Sequence, residues 1–85
     1  MSNIELIDFY ADWCGPCQQM NPIIEEIEKE VKDVEVTKIN IDQNSDIASQ
    51  YHVMSIPTFI IKKNGRVVDQ LVGAQTKENL LSKLR

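Results

Sequence analysis

Apolar residues run almost without a break from Ile4 to Tyr10, Ile-Glu-Leu-Ile-Asp-Phe-Tyr, the pattern of a strand covered on both faces. Beyond Cys17 the period changes. Met20, Ile23, Ile24, Ile27 and Val31 recur at three- and four-residue steps, with Glu25, Glu26, Glu28 and Lys29 on the opposite side. This spacing predicts a helix reaching about Val31, kinked where Pro22 removes one backbone bond. Val34 to Ile41 is rich in β-branched residues and predicts a second strand. A short helix follows, capped by Asp42 or Asn44, with Ile47, Ala48 and Tyr51 on its buried side. Residues 58–62 predict a third strand, Asn64-Gly65 a hairpin turn, and Val67 to Val72 the returning antiparallel strand. Thr76 caps a last helix that buries Leu80, Leu81 and Leu84.

The predicted order is β-α-β-α-β-β-α. A strand, a helix and another strand make a right-handed parallel crossover, and the Asn-Gly hairpin adds an antiparallel pair. An α/β architecture follows, one mixed four-stranded sheet with helices on both faces. The first strand, the most apolar, is expected at its centre.

Size and charge narrow the function. A chain of 85 residues can bury about 64% of its extended surface, enough for one modest core, so residues 1–85 are expected to form a single domain. No apolar run approaches the roughly 20 residues of a membrane helix. The start, Met1-Ser2-Asn3-Ile4-Glu5, has no basic segment of the secretory type, which predicts a cytoplasmic protein with no membrane association. Nine basic against thirteen acidic side chains give a net charge of −4, the wrong sign for gripping nucleic acid. The densest charge run, residues 25–30, is acidic and reads as a solvated helix face.

Cys14 and Cys17 are the only thiols, and in a reducing compartment they point to chemistry rather than a structural staple. Cys14-Gly15-Pro16-Cys17 lies where a buried strand gives way to a helix. Cysteines three apart on a first helical turn can close a disulfide with little backbone movement. The unpaired N–H groups and positive dipole end of that turn favour a thiolate. Pro16 suits an early helical position, where its missing N–H costs nothing. Cys14, at the turn, is expected to be reachable and Cys17, one turn inward, more covered, which suits an attacking thiolate and a resolving thiol. Three plainer readings compete: a metal knuckle, an inert buried pair and a structural disulfide. A zinc or iron site needs four ligands, and besides two cysteines the chain offers a lone His52, so no metal is expected. His52 is read as the end of the second helix. Asp8 interrupts an apolar strand on the face of Ile4 and Leu6, so its carboxylate is expected to be desolvated with a raised pKa. The alternative is a strand-end Asp turned to water.

Asp8-Phe9-Tyr10-Ala11-Asp12-Trp13-Cys14-Gly15-Pro16-Cys17 resembles the active-site segment of the thioredoxin family. The resemblance continues in order through Pro22, Lys38-Ile39-Asn40-Ile41-Asp42, Ile56-Pro57-Thr58, Asn64-Gly65 and Val72-Gly73-Ala74. It implies a thioredoxin-like fold and a cytosolic dithiol–disulfide oxidoreductase that reduces partner proteins. It further implies that Asp8 is a general acid/base serving Cys17 through water, with Lys38 tuning it. Trp13, Gly15 and Pro16 would shape a docking surface, Ile56-Pro57 a cis-proline loop facing the cysteines, and Gly73-Ala74 a place where small residues admit a partner chain. The implied partners are a thioredoxin reductase or equivalent dithiol donor and disulfide-containing targets, with no tightly bound cofactor and a monomeric chain. Only three residues precede Ile4, where family members usually carry another strand and helix, so the resemblance is to short, minimal members. The second strand should then be a sheet edge, with Glu35 and Lys38 discouraging unwanted pairing. Two rival readings remain: a glutaredoxin-like protein recharged by a small thiol, and a thioredoxin-fold binding module.

Overall fold

A computed structural model describes residues 3–85; Met1 and Ser2, on which part of the reading of the N-terminus rests, lie outside them. The elements are β1 (Ile4–Tyr10), α1 (Gly15–Glu30), β2 (Val34–Asn40), α2 (Ser45–Gln50), β3 (Thr58–Lys63), β4 (Arg66–Val72) and α3 (Lys77–Leu84). The order is the one expected. The strands lie β2-β1-β3-β4, with β1 parallel to β2 and antiparallel to β3, and β4 antiparallel to β3. The centre is therefore shared by β1 and β3, and β2 is an edge.

Alternation along β1 explains the two helical layers. Leu6 packs with Met20, Ile24 and Ile27 of α1, and with Leu80, Leu81 and Leu84 of α3. Ile7 and Phe9 point the other way and pack with Ile60 of β3 and Ala48 of α2. A strand buried on both faces has no room for polar alternation, which is why β1 reads as nearly continuous apolar sequence. Two acids break that run: Glu5, half-buried, accepts from Thr37 Oγ1 at 2.8 Å, and Asp8 is fully buried.

Several element ends differ from the expectations, each for a local reason. The hairpin turn is the two residues Asn64 and Gly65, with φ of 54° and 80°, so Lys63 and Arg66 pair across it and both strands reach the turn. Two successive positive φ angles define the tight turn that matches strand twist. Ile41 falls just past β2, although its N–H still donates to the Tyr10 carbonyl at 2.9 Å. Asn44, not Asp42, is the residue before α2, and its side chain does not cap the helix: Nδ2 donates instead to the Asn40 carbonyl at 3.2 Å. Helix α1 runs unbroken through Pro22. Among the described residues no helix is long and apolar enough to cross a membrane.

The α3 cap is as expected: Thr76 Oγ1 accepts the Asn79 N–H at 3.0 Å. Thr76→Ala strands that donor at the end of a short helix, and should cost about 1 kcal/mol. Urea unfolding would show a lower midpoint with an unchanged slope.

Candidate active site

The loop from β1 into α1 carries the cysteines. Cys14 has extended backbone, φ −88° and ψ 109°, and stands immediately before the helix. Its N–H donates to the Ala11 carbonyl at 3.2 Å, closing the turn that redirects the chain. Gly15 and Pro16 form the first helical positions, where a missing proline donor is harmless. Cys17 completes the turn, with its Cα 5.2 Å from that of Cys14, and the two sulfurs are joined in a disulfide. The Cys17 N–H donates to Cys14 Sγ at 3.2 Å. That donor is among those a helix N-terminus leaves unpaired, and it would stabilise negative charge on Cys14 sulfur once the disulfide opens.

The expected contrast in exposure between the cysteines is corrected. Cys14 is 5% exposed and Cys17 3%, so both are covered. Ile41, after β2, and Ile56, before β3, pack with Tyr10 against the cluster that the pair forms with Ala11. What distinguishes the two sulfurs is the helix-terminal donor on Cys14, not bulk access.

Asp8 is 2% exposed, and its Oδ1 has no hydrogen-bond partner among the described residues. Burial pushes its carboxyl up to about 6, against the lowering pull of the Lys38 charge. Lys38 stands directly opposite Asp8 in the β1–β2 ladder, but its Nζ does not pair with the carboxylate; it donates to Asn21 Oδ1 on α1 at 3.4 Å. Asn21 and Cys17 line one cleft with Tyr10, Asp12 and Gln18.

Trp13 is 69% exposed, its indole Nε1 donating to Asp42 Oδ2 at 2.8 Å. Asp42 is itself placed by its N–H, which donates to Asn40 Oδ1 at 2.9 Å. The Ile56–Pro57 peptide is cis, and Ile56 packs against the cysteine cluster. The Pro57 carbonyl accepts the Gly73 N–H at 2.8 Å, which ties the loop before β3 to the one after β4. Gly73 has φ 89°, a conformation that disfavours any side chain, and the space beside it is open. Ala74, next to it in the chain, is exposed, as is Gly15 between the cysteines.

The structure thus gathers Cys14, Cys17 and Ile56 in one cluster, joins Gly73 to Pro57, and sets Lys38 against Asp8. Sequence reasoning missed Asp42 as the anchor of Trp13, and did not foresee Met54, 94% exposed, which lines a second cleft with Ile41, His52 and Val53. An indole needs an acceptor, and an acid just past the neighbouring parallel strand was the available signal for Asp42. His52 ends α2 with φ 57°, as expected for a helix stop. Among the described residues no three His, Cys, Asp or Glu side chains gather as a metal-ligand set.

The Thioredoxin family model matches residues 1–85. A thioredoxin of Rickettsia felis is 52% identical over 77 residues, spanning 89% of this chain and 73% of that protein. One from Chlamydia caviae is 46% identical over 80 residues, spanning 94% and 78%. Among solved structures, a mutant thioredoxin from Halobacterium salinarum superposes with a TM-score of 0.94 at 38% identity, over 98% of this chain and 73% of that one. Oxidized mitochondrial thioredoxin 3 from Saccharomyces cerevisiae gives 0.91 at 33% identity, over 99% and 78%.

Proposed function

The chain belongs to the thioredoxin family and is a thiol–disulfide oxidoreductase, and we propose that it reduces the disulfides of partner proteins through Cys14 and Cys17. The observation that carries this reading is the Cys14–Cys17 disulfide at the start of α1, with a helix-terminal N–H on Cys14 Sγ.

In the reduced protein the Cys14 thiolate attacks one sulfur of the target disulfide. The target S–S bond breaks, a Cys14–target disulfide forms, and the departing target sulfur takes up a proton. Cys17 then gives its proton to the Asp8 carboxylate, through water, and attacks Cys14 Sγ. The mixed disulfide breaks, the Cys14–Cys17 bond forms, and the second target sulfur leaves and is protonated. The target gains two electrons and the chain loses two. A carboxyl near 6 suits a group that takes and returns a proton around neutral pH. Lys38 tunes it. A thioredoxin reductase or an equivalent dithiol donor restores the reduced pair.

Trp13, Gly15, Pro16, Ile56, Pro57, Gly73 and Ala74 form the docking surface in this reading. An extended target segment lies along the Ile56-Pro57 loop as an added strand and presents its cystine to Cys14. The chain acts as a single domain and a monomer in a reducing compartment, the cytoplasm.

Insulin reduction tests the reading. With dithiothreitol as electron source, the protein should accelerate precipitation of the insulin B chain. Replacing dithiothreitol with glutathione should give much slower turnover. Equal turnover with glutathione would favour the glutaredoxin-like rival, and no turnover with either thiol would favour a binding module.

A further inference from the structure

Lys38 lies on an edge strand with its side chain in solvent, where a lysine ordinarily keeps its ammonium hydrated and mobile. Here Nζ is held by Asn21 Oδ1, an amide one turn past Cys17 on α1 and exposed to solvent. The bond spans from α1 to β2 across the layer in which Asp8 is buried, since Asp8 and Lys38 are cross-strand partners. We propose that Asn21 is a positioning residue for the resolving step, its amide oxygen keeping the Lys38 ammonium over the α1 face of the sheet beside Asp8. This rests on the reading of Asp8 as the acid/base of Cys17.

The surroundings of Asp8 leave Lys38 as the charge that counts. Its ladder neighbours are Phe59 on β3 and Lys38 on β2. The buried face of α1 offers Cys17, Met20 and Ile24, none of them charged while the disulfide is closed. Asp12 and Tyr10 line the adjoining cleft. Against burial, the Lys38 charge is the force that lowers the Asp8 carboxyl. Coulomb attraction falls with distance, so an ammonium free to swing into water acts more weakly on Asp8 than one tethered to α1. Asn21 suits this task because it is neutral. A carboxylate at the same place would hold the lysine but oppose its charge, and an ammonium would repel it.

The test is a carbon-13 NMR titration of the Asp8 carboxyl in the oxidised protein, where neither cysteine titrates. Lys38→Met should raise the Asp8 midpoint by about half a pH unit, the effect of a unit charge several ångströms away through water. Asn21→Ala, which unties the ammonium without removing it, should raise it by a smaller but measurable part of that. In the double variant Asn21→Ala should add nothing to Lys38→Met, because the amide acts through the ammonium. Both side chains are exposed, so both variants should fold. An unchanged midpoint in Asn21→Ala overturns the proposal. So does a lowered one, which would mean that Asn21 holds the ammonium away from Asp8, and so does full additivity in the double variant. The titration involves no target protein, so its outcome is independent of the insulin assay.

Discussion

Cys14→Ser should abolish disulfide reduction, lowering insulin turnover by about three orders of magnitude or more, the scale on which loss of a catalytic nucleophile acts. The attacking species must be a thiolate, and a serine hydroxyl is not ionised near neutral pH. Cys17 should not substitute. The orphan N–H of Cys17 donates to Cys14 Sγ at 3.2 Å, so the helix start favours negative charge on the Cys14 sulfur rather than on that of Cys17. Alkylation of the reduced protein at mildly acidic pH should therefore label Cys14 well before Cys17. Both sulfurs are nearly covered in the oxidised form, so a large difference in labelling would reflect thiolate population rather than access. Preferential labelling of Cys17 would reverse the two roles.

Asp8→Asn should both stabilise the protein and slow its resolving step. The Asp8 carboxyl is raised to about 6 from its ordinary 3.8, so between those values the folded chain holds a proton that the unfolded chain has released. Stability must then fall as pH rises from about 4 to about 6, and stay at its reduced level above. A difference of about two pH units corresponds to about 3 kcal/mol, an upper figure for the penalty at pH 7. Asparagine carries no charge to desolvate. The variant should be about 1–3 kcal/mol more stable than the parent at pH 7, little changed at pH 4, and free of this slope between. The same change removes the group that accepts the Cys17 proton, so release of the target from the mixed disulfide should slow about tenfold or more. Urea unfolding at pH 4, 5, 6 and 7 reads the first effect, and single-turnover kinetics the second. A variant matching the parent in both would place Asp8 outside the mechanism.

The parts of the fold legible in the sequence are those governed by local periodicity. Met20, Ile24 and Ile27 recur at helical steps and do fill one side of the core, while Asn64-Gly65 announces its own turn. Asp8 was legible because a lone carboxylate in an apolar strand must either be desolvated or end the strand, and the strand continues to Tyr10. The cis Ile56–Pro57 bond was expected from the family resemblance, not from the residues themselves, and the Gly73 hydrogen bond to Pro57 was not expected at all. Other features depend on how separate elements meet. The Trp13–Asp42 bond joins residues 29 apart, and the Lys38–Asn21 bond residues 17 apart, so no local pattern encodes either. Met54 has the composition of a core residue and stands in water because of the loop that carries it. Cys14 was expected to be reachable from its place at a turn but is 5% exposed, in a cluster with Ala11 and Cys17 against which Ile41 and Ile56, from two other loops, pack.

The most direct test of the exchange mechanism is to trap its intermediate. Cys17→Ser, incubated with a peptide containing one disulfide, should accumulate a one-to-one mixed disulfide that mass spectrometry of the digested complex maps to Cys14, whereas Cys14→Ser should trap nothing under the same conditions. A stable adduct on Cys17 in the Cys14→Ser protein, with none on Cys14 in the Cys17→Ser protein, would contradict the assignment of attacking and resolving thiols.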